Sequence, residues 1–382
     1  MKIKHIAAIA AAMVAGTAFA QSNVTLYGVI DTGLRYDTNA DGMGNKATYI
    51  NAGTLSNSRF GIKGMEDLGG GMKAGFQLES GFAVGNGSQD GISFIGNANR
   101  LFNRTAKVGL EGAFGSLYFG RQYSVLFNIM DMYEPTDFLN VQSYSDGATV
   151  VPTNYFVDGI RVDNNIYYMG TFGPVGVHVS YAPGGVPGSN SAGAHESIGL
   201  SYDDNVLKLG AVFNRTVSNG NGQGTAPFGT FANSNASTNN TDTYSLGGAY
   251  IFGPVKGMLG YAYNKVGLAT SQSWNQNTIF GGLVYSVTPV IDVTAAYYRH
   301  KLNAASSGVV GAKDGKADVY VLVADYKLSK RTDLYAEYDY TRTGSKDGLQ
   351  NAYFDSSSAN VLSGGSPSNS RSGVTIGVRH VF

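Results

Sequence analysis

The feature that most constrains this chain is an alternation with a period of two that recurs along its length and runs to the last residue, Phe382. Counting back from Phe382, His380, Val378, Ile376 and Val374 share one face, and Val381, Arg379, Gly377 and Thr375 share the other. Successive side chains of a strand point to opposite faces, so this is strand patterning. It returns in "NVTLYGVIDTGLRY", where Val24, Leu26, Ile30 and Leu34 oppose Thr25, Tyr27, Asp31 and Arg35. In "KAGFQLESGF", Ala74, Phe76, Leu78 and Phe82 oppose Lys73, Gln77 and Glu79. In "DLYAEYDYT", Leu334, Ala336, Tyr338 and Tyr340 oppose Asp333, Glu337 and Asp339. One face is apolar with aromatic ends and the other is charged. No stretch of useful length carries helical spacing.

The first twenty residues stand apart. Lys2 and Lys4 precede a short apolar run from Ile6 to Ala15, and Ala18-Phe19-Ala20 is a small-x-small cleavage site. This reads as a secretory signal peptide, residues 1–20, because the run is too short for a membrane-spanning helix, which needs about 20 residues. A membrane anchor is the alternative for this segment. The expected mature chain, 21–382, is one domain with a charge near −2. That balance offers no basic excess for nucleic acid. With no cysteine, disulfides and thiolate metal sites are excluded. After the signal no apolar run is long enough for a membrane helix, which leaves a soluble β protein or a membrane barrel, whose strands show only alternation over about ten residues.

The joints decide between these. Tight ones fall at 67–71, 112–115, 171–174, 203–205, 252–254, 287–289 and 328–331. Between them lie longer polar segments, including 83–103, 123–158, 215–241 and 342–371. The glycine- and asparagine-rich 215–241 could be a linker, but the strand pattern resumes unchanged after it. Counting the runs gives about sixteen strands, with short turns at one end and long loops at the other, as in outer-membrane barrels. Strands about 4.8 Å apart and tilted by about 40° close, at sixteen, with a backbone radius of roughly 16 Å. That barrel encloses water, so Lys63, Lys73, Glu79, Glu337 and Asp339 are expected to face a lumen and stay hydrated. On the lipid face each charge costs about 2–4 kcal/mol at the midplane. An open sheet edge in hydrocarbon is forbidden, so "VTIGVRHVF" is expected to pair with "NVTLYGVID".

Five stretches then carry a resemblance: "SNVTLYGVIDTGL", "SRFGIKGMEDLGGGMKAGFQLESGF", "FGSLYFGRQY", "LSKRTDLYAEYDYT" and "GVTIGVRHVF". Together they resemble the general, non-specific porins of Gram-negative outer membranes, of the β-proteobacterial type, over essentially the whole mature chain. The resemblance implies an all-β fold: a 16-stranded antiparallel transmembrane β-barrel with an inward-folded constriction loop. It implies a homotrimer set in outer-membrane lipids and lipopolysaccharide, and a terminal Phe382 read by the barrel assembly machinery. It implies passive diffusion of small hydrophilic solutes and ions, with no enzyme activity and no cofactor.

In this family the third long loop narrows the channel opposite arginines on the wall. Here the resemblance puts that loop at about Tyr123 to Asp158, carrying Asp131, Glu134, Asp137, Asp146 and Asp158. The arginines become Arg59, Arg104 and Arg161, with Arg121 nearby. Alternation supports Arg59, because Phe60 and Ile62 take the apolar face, and supports Arg161 if Ile166 and Tyr168 point outward. Arg104 shares parity with Val108 and Leu110, and Arg121 with Leu117 and Phe119. Both therefore need an irregularity or a strand end. For any single arginine the simpler reading is a hydrated wall residue tied to a neighbour.

Other signals are weak. "EDLGGGMKAGF" lacks the GK[ST] ending of a phosphate loop and reads as a tight turn. His178, His195, His300 and His380 fall in separate segments without metal-ligand spacing. The alternative function is a substrate-selective porin, marked by an aromatic stripe down the wall. Tyr27, Tyr167 and Tyr335 share the inward parity without forming an ordered one. A plugged barrel acting as enzyme or adhesin is a further possibility that steady conductance would exclude.

Overall fold

The computed structural model describes residues 23–41, 43–89, 100–139, 160–217, 238–268, 273–305, 313–344, 347–348 and 368–382. The expected signal peptide and the carboxylates Asp146 and Asp158 lie outside the described residues.

The described chain is nearly all strand. In order these are β1 (Asn23–Asp37), β2 (Ala47–Ala52), β3 (Arg59–Gly69), β4 (Met72–Gly81), β5 (Thr105–Gly112) and β6 (Gly115–Tyr123). A short helix, α1 (Val125–Met130), follows. Then come β7 (Arg161–Phe172), β8 (Val175–Ala182), β9 (His195–Asp203), β10 (Leu207–Val217), β11 (Thr238–Phe252) and β12 (Val255–Leu268). The chain finishes with β13 (Ser273–Thr288), β14 (Ile291–Asn303), β15 (Gly315–Lys327), β16 (Thr332–Thr343) and β17 (Ser370–Val381).

Successive strands pair antiparallel, except that β2 and β3 both pair with β1, and β1 pairs with β17, so the sheet closes on itself. β2 and β3 are two halves of one barrel strand. β2 pairs with Thr32–Asp37 of β1, and β3 with Asn23–Val29. Counted that way, the molecule is a closed barrel of 16 strands. All seven short joints read from the sequence are turns between strands. The "DLGGG" segment is one of them, with Gly69, Gly70 and Gly71 all at positive φ, where a side chain would strain the turn.

The seam joins distant ends of the chain. Val29–Asp37 of β1 faces Val381–Gly373 of β17 in unbroken register. Phe382 and Gly28 exchange backbone hydrogen bonds of 3.0 Å each. The Phe382 ring lies where a Cβ on Gly28 would stand, 2.3 Å from its Cζ, and the Arg59 carbonyl is 2.7 Å from the same point. Farther along, Arg35 reaches from β1 across β17 to β16. It pairs with Asp37 at 2.9 Å, Glu337 at 3.0 Å and Asp339 at 2.6 Å. Glu337 and Asp339 therefore correct the expectation of hydrated lumen charges: both are buried inside this ion cluster.

The outward face is apolar as the alternation requires. Val24, Leu26, Leu34, Leu246, Leu259 and Ile376 are more than half exposed on it. The inward face is divided. Along β10 to β15 it carries Val212, Ala249, Met258, Phe280, Tyr298, Val319, Val321 and Val323, all buried. These side chains join Val125, Leu126, Ile129 and Met130 of α1 in a single apolar cluster inside the barrel. The lumen is thus part packed core and part open route.

A Gly28→Val substitution is expected to expel the Phe382 ring and press on the Arg59 carbonyl, destabilising the seam by about 1–3 kcal/mol, the usual cost of overpacking. It should lower the temperature at which purified barrels lose their compact, fast gel mobility. Unchanged heat resistance would show that the seat is not needed.

Candidate functional site: a constriction in the lumen

The constriction begins where β6 ends. Ser124, in extended conformation, caps α1 by accepting a 3.1 Å hydrogen bond from the Phe127 N–H. Val125 and Ile129, and Leu126 and Met130, are four residues apart, so α1 presents one apolar face to the wall. That wall is made shallow by glycine. A Cβ on Gly199 of β9 would lie 2.8 Å from Val125 Cγ1, and one on Gly210 of β10 2.6 Å from Ile129 Cγ2. A Cβ on Gly247 of β11 would meet the Tyr133 ring at 2.4 Å. Tyr133 stacks on Phe280 with centroids 6.1 Å apart, and its hydroxyl lies 2.9 Å from Ser245 Oγ.

Glu134 pins the next turn. Its carboxylate accepts hydrogen bonds from the N–H groups of Thr136 and Phe138, both at 2.8 Å, and from the Tyr298 hydroxyl of β14. It is fully buried, so it does not face the open lumen as the sequence reading expected. Burial pushes its pKa up to about 7, against the lowering effect of the Phe138, Tyr298 and Thr136 hydrogen bonds. The chain then passes through Asp137 and Phe138, both at positive φ (52° and 60°). For Phe138 this is a strained conformation. It carries the Phe138 ring onto Phe127, with centroids 4.4 Å apart, and Phe127 stacks on Tyr123 at 4.1 Å.

Tyr123 links this loop to the arginines. The Arg161 guanidinium covers its other side, 4.5 Å from the ring centroid, and donates to its hydroxyl at 3.0 Å. Arg104 donates to the same hydroxyl at 2.6 Å and to Glu79 at 2.7 Å. Arg59 lies 3.6 Å from Glu79. Three guanidiniums of the sequence-derived set thus meet around one carboxylate and one phenol. They border an open space of about 360 Å³ together with Asp131 and Asp137 from the loop. Asp131 has a raised pKa, first from burial and then from Asp137, with Lys256 and Lys208 acting against it.

The irregular placements have local causes. Arg104 stands just before β5 begins, so strand parity does not bind it. Arg161 opens β7, where Asn164 takes a positive φ of 52° and the register with β6 shifts between Gly120 and Gln122. Arg121 does not join the constriction. It keeps the parity of outward Phe119, and its guanidinium pairs with the exposed Asp163 at 2.6 Å and the Asn103 carbonyl at 2.6 Å. Arg100 pairs with the same Asp163 at 2.8 Å.

Two parts of the site escaped the sequence reading. Arg379 of β17 reaches the same space, bonded to Ser56 Oγ at 3.1 Å and to Asp333 at 2.5 Å. Leu55, Ser56 and Asn57, in the break between β2 and β3, line it as well. Asp31 holds that break, accepting from the Leu55 and Ser56 N–H groups at 2.8 and 2.7 Å and from the Tyr335 hydroxyl at 2.6 Å. The available signal was "NAGTLSNSR", a turn-rich stretch within the second strand.

The sequence pattern of the Gram-negative porin family matches residues 7–346. The chain is 32% identical to an outer membrane porin protein of Bordetella pertussis, over 90% of this chain and 94% of that one. Its fold is similar to that of an anion-selective porin from Comamonas acidovorans, with a TM-score of 0.73 and 24% identity, covering 94% of this chain and 100% of that one. It is also similar to the trimer form of OmpT from Vibrio cholerae, with a TM-score of 0.64 and 17% identity, covering 94% and 99%.

Gly210→Val is expected to push α1 off the wall and into the route, at a cost of about 1–3 kcal/mol to its docking. Single-channel conductance should fall while the barrel still resists heat; conductance equal to the parent would contradict the glycine seat. The raised pKa of Glu134 gives a second test. A buried carboxyl that holds its proton more tightly when docked favours docking fully below its ordinary pKa of 4.5. That advantage declines as pH rises, and is gone above about 7. Current noise from the loop should therefore grow between pH 5 and pH 8, on the order of the pKa range cited for such a group. Glu134→Gln should flatten that dependence.

Proposed function

Because the chain belongs to the Gram-negative porin family, and so forms an outer-membrane channel for passive diffusion, we propose that its constriction selects small hydrophilic anions over cations. One observation carries this reading: among the described residues the guanidiniums of Arg59, Arg104 and Arg161 converge at the neck on one wall carboxylate, Glu79, and one phenol, Tyr123. Arginine stays charged at any relevant pH. Asp131 and Asp137 stand opposite, so the field crosses the route from one side to the other, and rings and rows of charge set ion preference in pores. Arg59, Arg104 and Arg161 form the basic wall, and Arg379 extends it from β17. Arg121 serves the outer surface in this reading, and Glu134 positions the loop. The anion-selective character of the Comamonas acidovorans porin supports the same sign.

The remaining assignments follow from the family. Residues 1–20 direct export and are removed. Phe382 presents the assembly signal to the barrel assembly machinery. The barrel works as a homotrimer among outer-membrane lipids and lipopolysaccharide, a reading that the trimer form of the Vibrio cholerae neighbour supports. Solutes move down their own gradients, so the channel performs no chemistry and uses no cofactor.

Purified protein in planar bilayers under a potassium chloride gradient should give a reversal potential on the anion side. The double variant Arg59→Gln, Arg161→Gln should move it toward cations, with the permeability ratio falling several-fold. Identical reversal potentials for parent and variant would remove these arginines from the selectivity mechanism.

A further inference from the structure

Below the constriction, toward the turns at 69–72 and 112–115, the same wall opens into a second concavity of about 340 Å³. A smaller space of about 140 Å³ joins the two: it shares Arg59, Tyr123 and Asn128 with the neck, and Gln77 and Lys107 with the lower concavity. The three spaces share these lining residues and follow one another along β3 to β6.

The lower concavity is built around two ammonium groups. Lys63 Nζ sits 5.1 Å from the centroid of the Tyr27 ring, and Lys107 Nζ 4.5 Å from that of Tyr118. Neither lysine closes a salt bridge among the described residues. The carboxylates in electrostatic reach of Lys107 are Glu111 and Glu79, and both have other partners. Glu111 accepts from the Tyr118 hydroxyl at 2.5 Å. Glu79 accepts from Arg104 and from the Tyr27 hydroxyl. The rings hold the cations in place without neutralising them. Met65, Phe76 and Tyr118 contribute apolar surface to its lining.

We propose that Lys63 and Lys107 form a second binding station, taking the carboxylate of a small organic anion whose carbon skeleton rests on Tyr118 and Met65. The proposal rests on the channel reading above and names the class of solute that the route favours. The chemistry separates such an anion from chloride. A chloride ion gains only charge at this station, whereas an organic carboxylate also removes apolar surface from water. The station lies past the neck, so an anion released by the arginines is received by further cations rather than by a neutral exit.

The test uses benzoate as the probe, added on the short-turn side of barrels in planar bilayers carrying a constant potassium chloride current. Benzoate should reduce the parent current in a saturable way. In Lys63→Gln, Lys107→Gln the half-blocking concentration should rise about tenfold, the loss expected for a charged contact of about 1.4 kcal/mol. Lys63→Arg, Lys107→Arg should restore block. The chloride reversal potential should move less in the glutamine variant than in the neck variant Arg59→Gln, Arg161→Gln. Absence of block in the parent, or equal block in the glutamine variant, would overturn the station while leaving the channel intact. A barrel that carries no chloride current would instead overturn the channel reading on which the station depends.

Discussion

The docking of α1 onto a glycine-shallowed, apolar half of the inner wall is the interaction on which the rest of the interior depends. A barrel of sixteen strands is too wide for wall side chains to fill. Something must fold inward if the pore is to discriminate between solutes, and an inward loop in water has no reason to stay. Here Val125, Ile129 and Tyr133 enter the space left by Gly199, Gly210 and Gly247, where larger residues would hold the helix off. Burying four side chains of α1 supplies several kcal/mol, at about 1.5–3 kcal/mol for each fully buried large apolar residue. Glu134 then fixes the rotation of the turn through Tyr298, two backbone N–H groups and Thr136.

Once the loop is held on β9 to β14, the open route must run along the opposite wall, and that is where the charges lie. The arrangement differs from the Arg35 cluster, which uses the same residue types for another purpose. There a buried guanidinium meets three carboxylates and joins β1 to β16 across the seam. At the neck, four guanidiniums border the open space against two loop carboxylates among the described residues, and Arg59 and Arg379 each keep about a quarter of their side-chain surface exposed. Buried charge held by partners on neighbouring strands ties those strands together. Charge left open to water acts on ions passing by.

Much of the barrel was legible because period two is a local rule. The faces of β1, β4 and β16, the seven tight turns and the closure of the last strand on the first follow from alternation and from the need to close the sheet; the register does not, because Val374–Val381 faces Tyr36–Val29 and only the end of "NVTLYGVID" takes part. The site was less legible because parity fails wherever the ladder is interrupted. Arg104 lies outside its strand, and Arg161 lies beyond the shift between Gly120 and Gln122. Glu134 is acidic and lies in the right loop, but whether a carboxylate faces water or an interior hydroxyl depends on tertiary packing. Glu337 and Asp339 have the inward parity expected of them, yet their hydration is decided by Arg35, about three hundred residues away in the chain.

The interior also leaves a mark in sequence that alternation alone does not exploit. β15 contains "VYVLVA", in which Tyr320 and Leu322 face outward while Val319, Val321 and Val323 face inward, and all five are apolar. A strand with lipid on one face and water on the other should alternate. A strand with two apolar faces must have packed protein on both sides or lipid on one and packed protein on the other. In a barrel that exposes one face to lipid, lost alternation therefore marks the wall against which an inward segment packs. By the same logic, "KAGFQLES" and "TAKVGLEG", which keep charge on the inward parity, mark the wall left to water. Lys63, Lys107 and Glu79 all lie on that second wall. The position of the route around the barrel is thus encoded by which strands alternate, before any loop is considered.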